Sequence, residues 1–274
     1  MHFCKDIIGE LYQRVSPHSD KKNKGQFFTE PAIVTTIVQG AFSSLENKSS
    51  EELQSIRICD PACGSGIFLM EAYSQLSALY RQRGIDEKII PPLIMRKNLF
   101  AFDRDPIAIL IARFNLAVIS GLPIDEITNI AVNDFLYKDA LSFSQKNIGQ
   151  NRFDIIIGNP PWGSTLSSKE KQYYRQVYFS AKSGINTFSL FIERALELLV
   201  EGGTLAFLLP ESLLNIDAHR NCRNLIITQT RIYEIKLWGD QFKNVFAPCI
   251  SLITKKSETM PVADNMARFV LKNS

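Results

Sequence analysis

The tetrapeptide Asn159-Pro160-Pro161-Trp162 follows directly on the apolar run Ile155-Ile156-Ile157-Gly158. Two consecutive prolines make the backbone rigid just beyond a strand. That rigidity would aim the amide oxygen of Asn159 and the carbonyl of Pro160, two neutral acceptors, at one point beside the flat face of Trp162. Such a site suits a planar ligand that carries an NH₂ group. The plain structural alternative is a stiff turn with a core tryptophan.

A second set of residues is spread along the first half of the chain. Three short apolar runs end in aspartate, at Asp60, Asp103 and Asp134, and a fourth ends at Asn159. One Asp or Asn after a strand commonly just starts a loop. Four in succession instead line polar groups along the carboxyl ends of strands, where open parallel sheets bind their ligands. After the first run comes Asp60-Pro61-Ala62-Cys63-Gly64-Ser65-Gly66, whose glycines permit a strand-to-helix turn to pass close to a ligand. A dinucleotide site would want a third glycine where Leu69 stands, and its acidic partner ~20 residues on is missing. A nicotinamide dehydrogenase is therefore demoted.

These residues need elements to hold them. IRICD (56–60), LFAFD (99–103), NIAVND (129–134) and FDIIIGN (153–159) read as strands that alternate with helical patterns, which implies a parallel, doubly wound α/β sheet. TLAFLLP (204–210), RIYEIKLW (231–238) and CISLITK (249–255) bring the expected strands to seven. The connection between the last two is shorter than the dozen or more residues a parallel crossover takes, so that pair is expected to be antiparallel. Asp105-Pro106 opens the apolar helix that runs to Ser120, Thr29 is a possible N-cap for a helix over 31–42, and Gly202-Gly203 is expected to stop the helix TFSLFIERALELLVE. The polar stretches 16–24, 43–55 and 142–150 read as surface connectors, without repeats or low complexity.

Composition narrows the function classes further. A formal net charge of +3 in 274 residues is too small to mark a polyanion binder by bulk charge, so any such contact must come from local patches. The five cysteines are odd in number and form no CxxC pair, and with only three histidines neither a disulfide framework nor a zinc site is expected. No signal-length or membrane-length apolar run is evident, and the chain reads as a soluble, reducing, cytoplasmic protein.

Together GQFFTEP (25–31), DPACGSG (60–66) and NPPW (159–162) resemble the amino-methyltransferases that use S-adenosylmethionine. The likeness is strongest to the DNA adenine-N6 methyltransferases of type I and type IIG restriction-modification systems, and it covers 25–254. It implies a Rossmann-like class I methyltransferase fold, with a seven-stranded, mostly parallel sheet whose last strand is antiparallel. It also implies an N-terminal helical segment with a cofactor-covering loop over 1–45, a catalytic core over 46–256 and a tail over 257–274.

On this resemblance Thr29 lies near the cofactor's carboxylate. Asp60, directly or through water, takes its ammonium, and Ala62, Gly64 and Gly66 line its sugar and methionine. Asp103 accepts both ribose hydroxyls and Asp134 the adenine amine. Phe135 stacks on the adenine, and Phe191 is a further adenine-facing aromatic unless it is simple core packing. Asn159 and Pro160 accept from the target amine, Pro161 stiffens the turn and Trp162 stacks on the target base. Phe242, in preference to Phe246, closes the other side. Methyl transfer in this scheme needs no metal, general-base histidine or covalent intermediate.

The target would be an adenine flipped out of DNA. SSKEKQYYRQVYFSAK (167–182) interleaves aromatics with Lys169, Lys171, Arg175 and Lys182, and Lys171 and Arg175 are the expected nucleic-acid contacts, against a solvated amphipathic helix as the alternative. Little chain follows the last motif, so a separate or missing target-recognition domain, or a specificity subunit, is expected as partner. An RNA adenine or a protein glutamine amide would keep the mechanism and change the acceptor. A non-catalytic subunit that only binds nucleic acid is the rival from another class. No nuclease constellation stands out.

Overall fold

The computed structural model describes residues 29–138, 152–240, 248–257 and 268–270. They fall into two compact units, the first ending at Gly158 and the second beginning at Asn159.

The first unit opens with α1 (Pro31–Phe42), whose proline fits the first helical turn. Its N-cap is Glu30, in extended conformation and without a side-chain cap bond, so the capping role considered for Thr29 is not taken up. The stretch 43–55, expected as a connector, instead buries Leu45 and Leu53 and forms the short helix α2 (Ser50–Ser55). A capping box explains this: Ser49 Oγ accepts from Glu52 N at 3.2 Å while Glu52 accepts from Ser49 N at 2.8 Å. Then follow β1 (Ile58–Asp60), α3 (Ile67–Gln82), a helical passage over 90–98, β2 (Leu99–Asp103), α4 (Pro106–Ser120), β3 (Ile130–Val132) and β4 (Phe153–Gly158).

All pairings in this unit are parallel. Cys59 sits opposite Phe100 of β2 on one side and Ile156 of β4 on the other, and Phe102 of β2 faces Ala131 of β3. The chain thus winds outward from β1 through β2 to β3 and returns to β4 on the opposite flank of β1. The switch point beside β1 is where such sheets open a crevice at their carboxyl ends. β1 and β2 are buried along their whole length, as strands covered on both faces must be. The ends of α4 match the sequence: Asp105 accepts from Ile107 N at 2.9 Å, proline follows, and Gly121 closes the helix with φ +70°. Its inner face buries Ile109, Ala112 and Leu116, whereas Ile107, Leu110, Phe114 and Val118 are exposed.

The second unit contains α5 (Ser168–Val177), α6 (Thr187–Leu198), β5 (Leu199–Pro210), α7 (Arg220–Gln229), β6 (Thr230–Asp240), β7 (Pro248–Lys256) and β8 (Arg268–Val270). β7 runs antiparallel to both β5 and β6, which makes the expected antiparallel pair. The seven expected strands are present, and β8 adds a short parallel partner to β6. Gly202-Gly203 does not stop the helix. The helix ends at Leu198, and the glycines lie within β5, where Gly202 adopts φ +74°. Leu199 is fully buried, so its burial in the sheet outweighs the helical pattern that continues through it. Lys256, itself buried, donates to Leu196 O at 2.8 Å and Leu199 O at 3.2 Å and so neutralises the carboxyl end of α6.

Candidate active site

The loop from β1 to α3 is held by backbone and side-chain bonds to β2 and to α4. Cys63 N donates to Phe102 O at 3.0 Å, Gly64 N donates to Asp103 Oδ2 at 2.9 Å, and Asn115 Nδ2 of α4 donates to Ser65 O at 3.0 Å. Gly64 and Gly66 both have positive φ, +53° and +90°. At Gly66 an added Cβ would come within 3.2 Å of Ala112 Cβ, so glycine there lets the loop seat against α4. At Gly64 an added Cβ would meet nothing within 4 Å, which leaves open space over the loop.

The strand-end carboxylates of this unit differ in their surroundings. Asp103 is nine-tenths buried and accepts from Gly64 N and, through Oδ1, from Asp105 N at 2.9 Å. Asp134 accepts from Leu136 N at 3.0 Å through Oδ1, while its Oδ2 lies 3.3 Å from Arg104 Nε. Asp60 is almost wholly buried and accepts from Ala62 N at 3.2 Å. Burial, with the negative charge of Asp103 nearby, pushes its carboxyl up to about 8. Gly158 at the end of β4 passes so close that an added Cβ would stand 2.6 Å from Asp60 Oδ1, and its φ of +146° is itself a glycine conformation. Cys63 is buried and its thiol pushed well up by desolvation, so it is a packing group of the loop rather than a nucleophile. Thr29 is buried at the start of α1, Ala62 is half-buried, and Phe135 is 1% exposed and stacks on Phe102 with centroids 6.4 Å apart.

Asn159 follows Gly158 by one peptide bond and opens the second unit. Its Oδ1 is buried, as are Pro160 and Trp162, while Pro161 is half-buried. The turn continues through Gly163, with φ +68°, to Ser164, whose N–H donates to Thr187 Oγ1 at 3.4 Å. Thr187 begins α6, and Asn186 caps that helix by accepting from Phe188 N. Phe191 is buried one turn further on. Helix α5 starts from a capping box in which Ser167 Oγ accepts from Glu170 N at 3.2 Å and Glu170 accepts from Ser167 N at 2.8 Å. Lys169, Lys171 and Arg175 are exposed on it, and Tyr174 is buried against Tyr178 at 6.0 Å. Phe242 and Phe246 lie outside the described residues.

Within the first unit the structure links Asp60 to Ala62 and Gly64 to Asp103 through the bonds above, with Gly66 in the same loop and Asp134 two residues past the end of β3. Two contributors escaped the sequence reading. Asn115 is one polar residue within an apolar helix, yet a buried amide in such a helix must find a partner, and it finds Ser65 O. Gly158 read as a strand residue, although glycine inside a strand signals a close backbone approach. Among the described residues no group of three or more His, Cys, Asp or Glu side chains is placed to hold a metal ion, and no helix is long and apolar enough to cross a membrane.

Comparison with known proteins gives a consistent picture. Residues 97–246 match the model of the Eco57I restriction-modification methylase family, and residues 38–119 match that of the MmeI DNA-methyltransferase domain. The chain is 23% identical to the type II restriction enzyme and methyltransferase RM.Eco57I of Escherichia coli over 99% of its own length and 33% of that protein's. It is 26% identical to the type II methyltransferase M.VspI of Vibrio sp. (strain 343), over 91% of this chain and 52% of that one. Among solved structures, a DrdV–DNA complex superposes with a TM-score of 0.73 at 18% identity, over 97% of this chain and 29% of its counterpart. The chain therefore spans between a third and about half of these curated relatives.

Proposed function

Because the chain belongs to the Eco57I restriction-modification methylase family, we propose that it transfers a methyl group from S-adenosylmethionine to the N6 amine of an adenine in DNA. The observation that carries this reading is the sequence Asn159-Pro160-Pro161-Trp162 following directly on the last residue of β4.

The residues present fit the cofactor. Open space over Gly64 admits a ligand, and the ring of strand-end carboxylates offers acceptors of the kind an ammonium, a ribose diol and an aromatic amine require. Asp60 would hold the ammonium, Asp103 the paired hydroxyls and Asp134 the adenine amine, with Thr29, Ala62, Gly64 and Gly66 as further contacts; the family resemblance adds Phe135 and Phe191 as adenine-facing aromatics. Bound S-adenosylmethionine supplies a methyl group made electrophilic by a sulfonium.

The chain's own groups prepare the acceptor. An exocyclic aromatic amine is a poor nucleophile because its lone pair is delocalised into the ring. Asn159 Oδ1 and the Pro160 carbonyl would each accept one of its hydrogens, draw the pair back to nitrogen and orient it for in-line attack. Trp162 stacks on the base, and Pro161 keeps the turn from relaxing. The methylated nitrogen then loses its proton to water. Lys171 and Arg175 on α5 meet the phosphates, and a specificity domain or subunit selects the sequence.

The test is transfer of label from methyl-labelled S-adenosylmethionine to mixed-sequence DNA, RNA and extract protein offered side by side. Label in DNA is the expected result. Label confined to RNA or protein would overturn the acceptor, and label in none of them would overturn the activity.

A further inference from the structure

Among the described residues, Asp60 differs from Asp103 and Asp134 in having a single hydrogen-bond donor and no cation beside it. Asp134 has the Arg104 guanidinium at 3.3 Å. Asp103 accepts two backbone N–H groups, from Gly64 and Asp105, each at 2.9 Å, and donors of that kind favour the anion. Asp60 accepts a single N–H, from Ala62 at 3.2 Å, and is 1% exposed. The Gly158 backbone closes on its Oδ1 from β4. Among the described residues the titratable groups acting on it are Asp103 on β2, Cys59 on β1 and Cys63 in the following loop, and none of these is a cation. Where two neighbouring carboxyls share a desolvated site, one keeps its proton. The donors on Asp103 make Asp60 that one.

We propose that Asp60 is the neutral acid in the ligand-free protein and gives up its proton when a cofactor ammonium docks against it, so that cofactor binding releases one proton. The inference rests on the cofactor reading above. The O–H bond of the carboxyl breaks, the proton passes to the buffer, and the carboxylate accepts a hydrogen bond from the ammonium, with no other bond changed. The burial that raises Asp60 to about 8 is what makes the event visible near neutral pH. A dedicated proton on this carboxyl also gives the pocket a means of discrimination. A ligand without a cationic amine leaves Asp60 protonated and forgoes the ion pair.

The experiment is calorimetric titration near pH 6.5, below both the about 8 of Asp60 and the ~8 of an α-ammonium, in two buffers of different ionisation enthalpy. The probes are S-adenosylhomocysteine, which carries the ammonium without a sulfonium charge, and 5′-deoxy-5′-methylthioadenosine, which lacks the ammonium. For the first, the apparent enthalpy should differ between buffers by the amount that about one released proton gives. For the second it should not differ. Asp60→Asn should abolish the release. Should that variant fail to fold, the two-ligand comparison on the wild type decides the matter. Binding without release, or equal release with both ligands, would overturn the proposal, whereas failure of both ligands to bind would overturn the cofactor reading beneath it.

Discussion

Asp60, Asp103 and Asp134 are one residue type in three environments, and the environments assign different work to each. Asp134 has a guanidinium partner and Asp103 accepts two N–H groups, contacts of the kind that favour a carboxylate's charged form. A desolvated carboxyl with one donor and a like-charged neighbour keeps its proton. That difference reaches stability as well as binding. The folded value of Asp60, about 8, stands above the ~3.9 of an unfolded aspartate, so between those limits the folded state holds more protons than the unfolded one. Stability in the absence of ligand therefore falls as pH rises from about 4 to about 8. Asp60→Asn lacks the titrating group and should lose this slope. Thermal unfolding of both proteins across that window checks the point: the wild-type midpoint should decline relative to the variant, and parallel curves would contradict the assignment.

Helix α5 has the composition of an element that meets solvent or polyanion on one side and the core on the other. Its buried stripe is Tyr174, backed by Tyr178, and its exposed side presents Lys171 and Arg175 four residues apart. Positions four apart share a helix face, so the two cations present one basic surface. Each phosphate neutralised in this way contributes ~0.9 to the slope of log K against log salt. Lys171→Glu with Arg175→Glu should therefore weaken DNA binding at low salt and reduce that slope by about two. An unchanged slope, read from fluorescence anisotropy over a salt series, would place the DNA elsewhere. The capping box at Ser167 and Glu170 is untouched by these changes, so helix formation is not the variable.

At the scale of the whole molecule, the parts of the fold that read most clearly in the sequence were those that local chemistry alone determines. The aspartates that end β1 and β2, the Asp105-Pro106 start of α4 and the antiparallel geometry of β6 and β7 follow from caps, proline and connection length. What escaped was settled by tertiary contact. Leu199 continues a helical pattern but enters the sheet, and the 43–55 segment is polar on average yet buries Leu45 and Leu53. Gly158 is an ordinary strand residue until Asp60 is placed beside it. The candidate site divides along the same line, since residue types and order were legible in DPACGSG and NPPW, whereas the pinning of the loop by Asn115 and the unequal surroundings of the carboxylates needed coordinates. The chain spans 33% of one curated relative and 52% of another.

In the proposed reaction Asn159 prepares an adenine amine for methylation. Mass-spectrometric nucleoside analysis of DNA methylated by the wild type and by Asn159→Ala, with cofactor affinity determined for both, tests this role. The expected result is N6-methyladenine from the wild type and a loss of about 100-fold or more in the variant, the scale of removing one oriented polar group from a transition state, with cofactor affinity essentially unchanged. Equal N6-methyladenine from both proteins, or methylation at another atom, would contradict it.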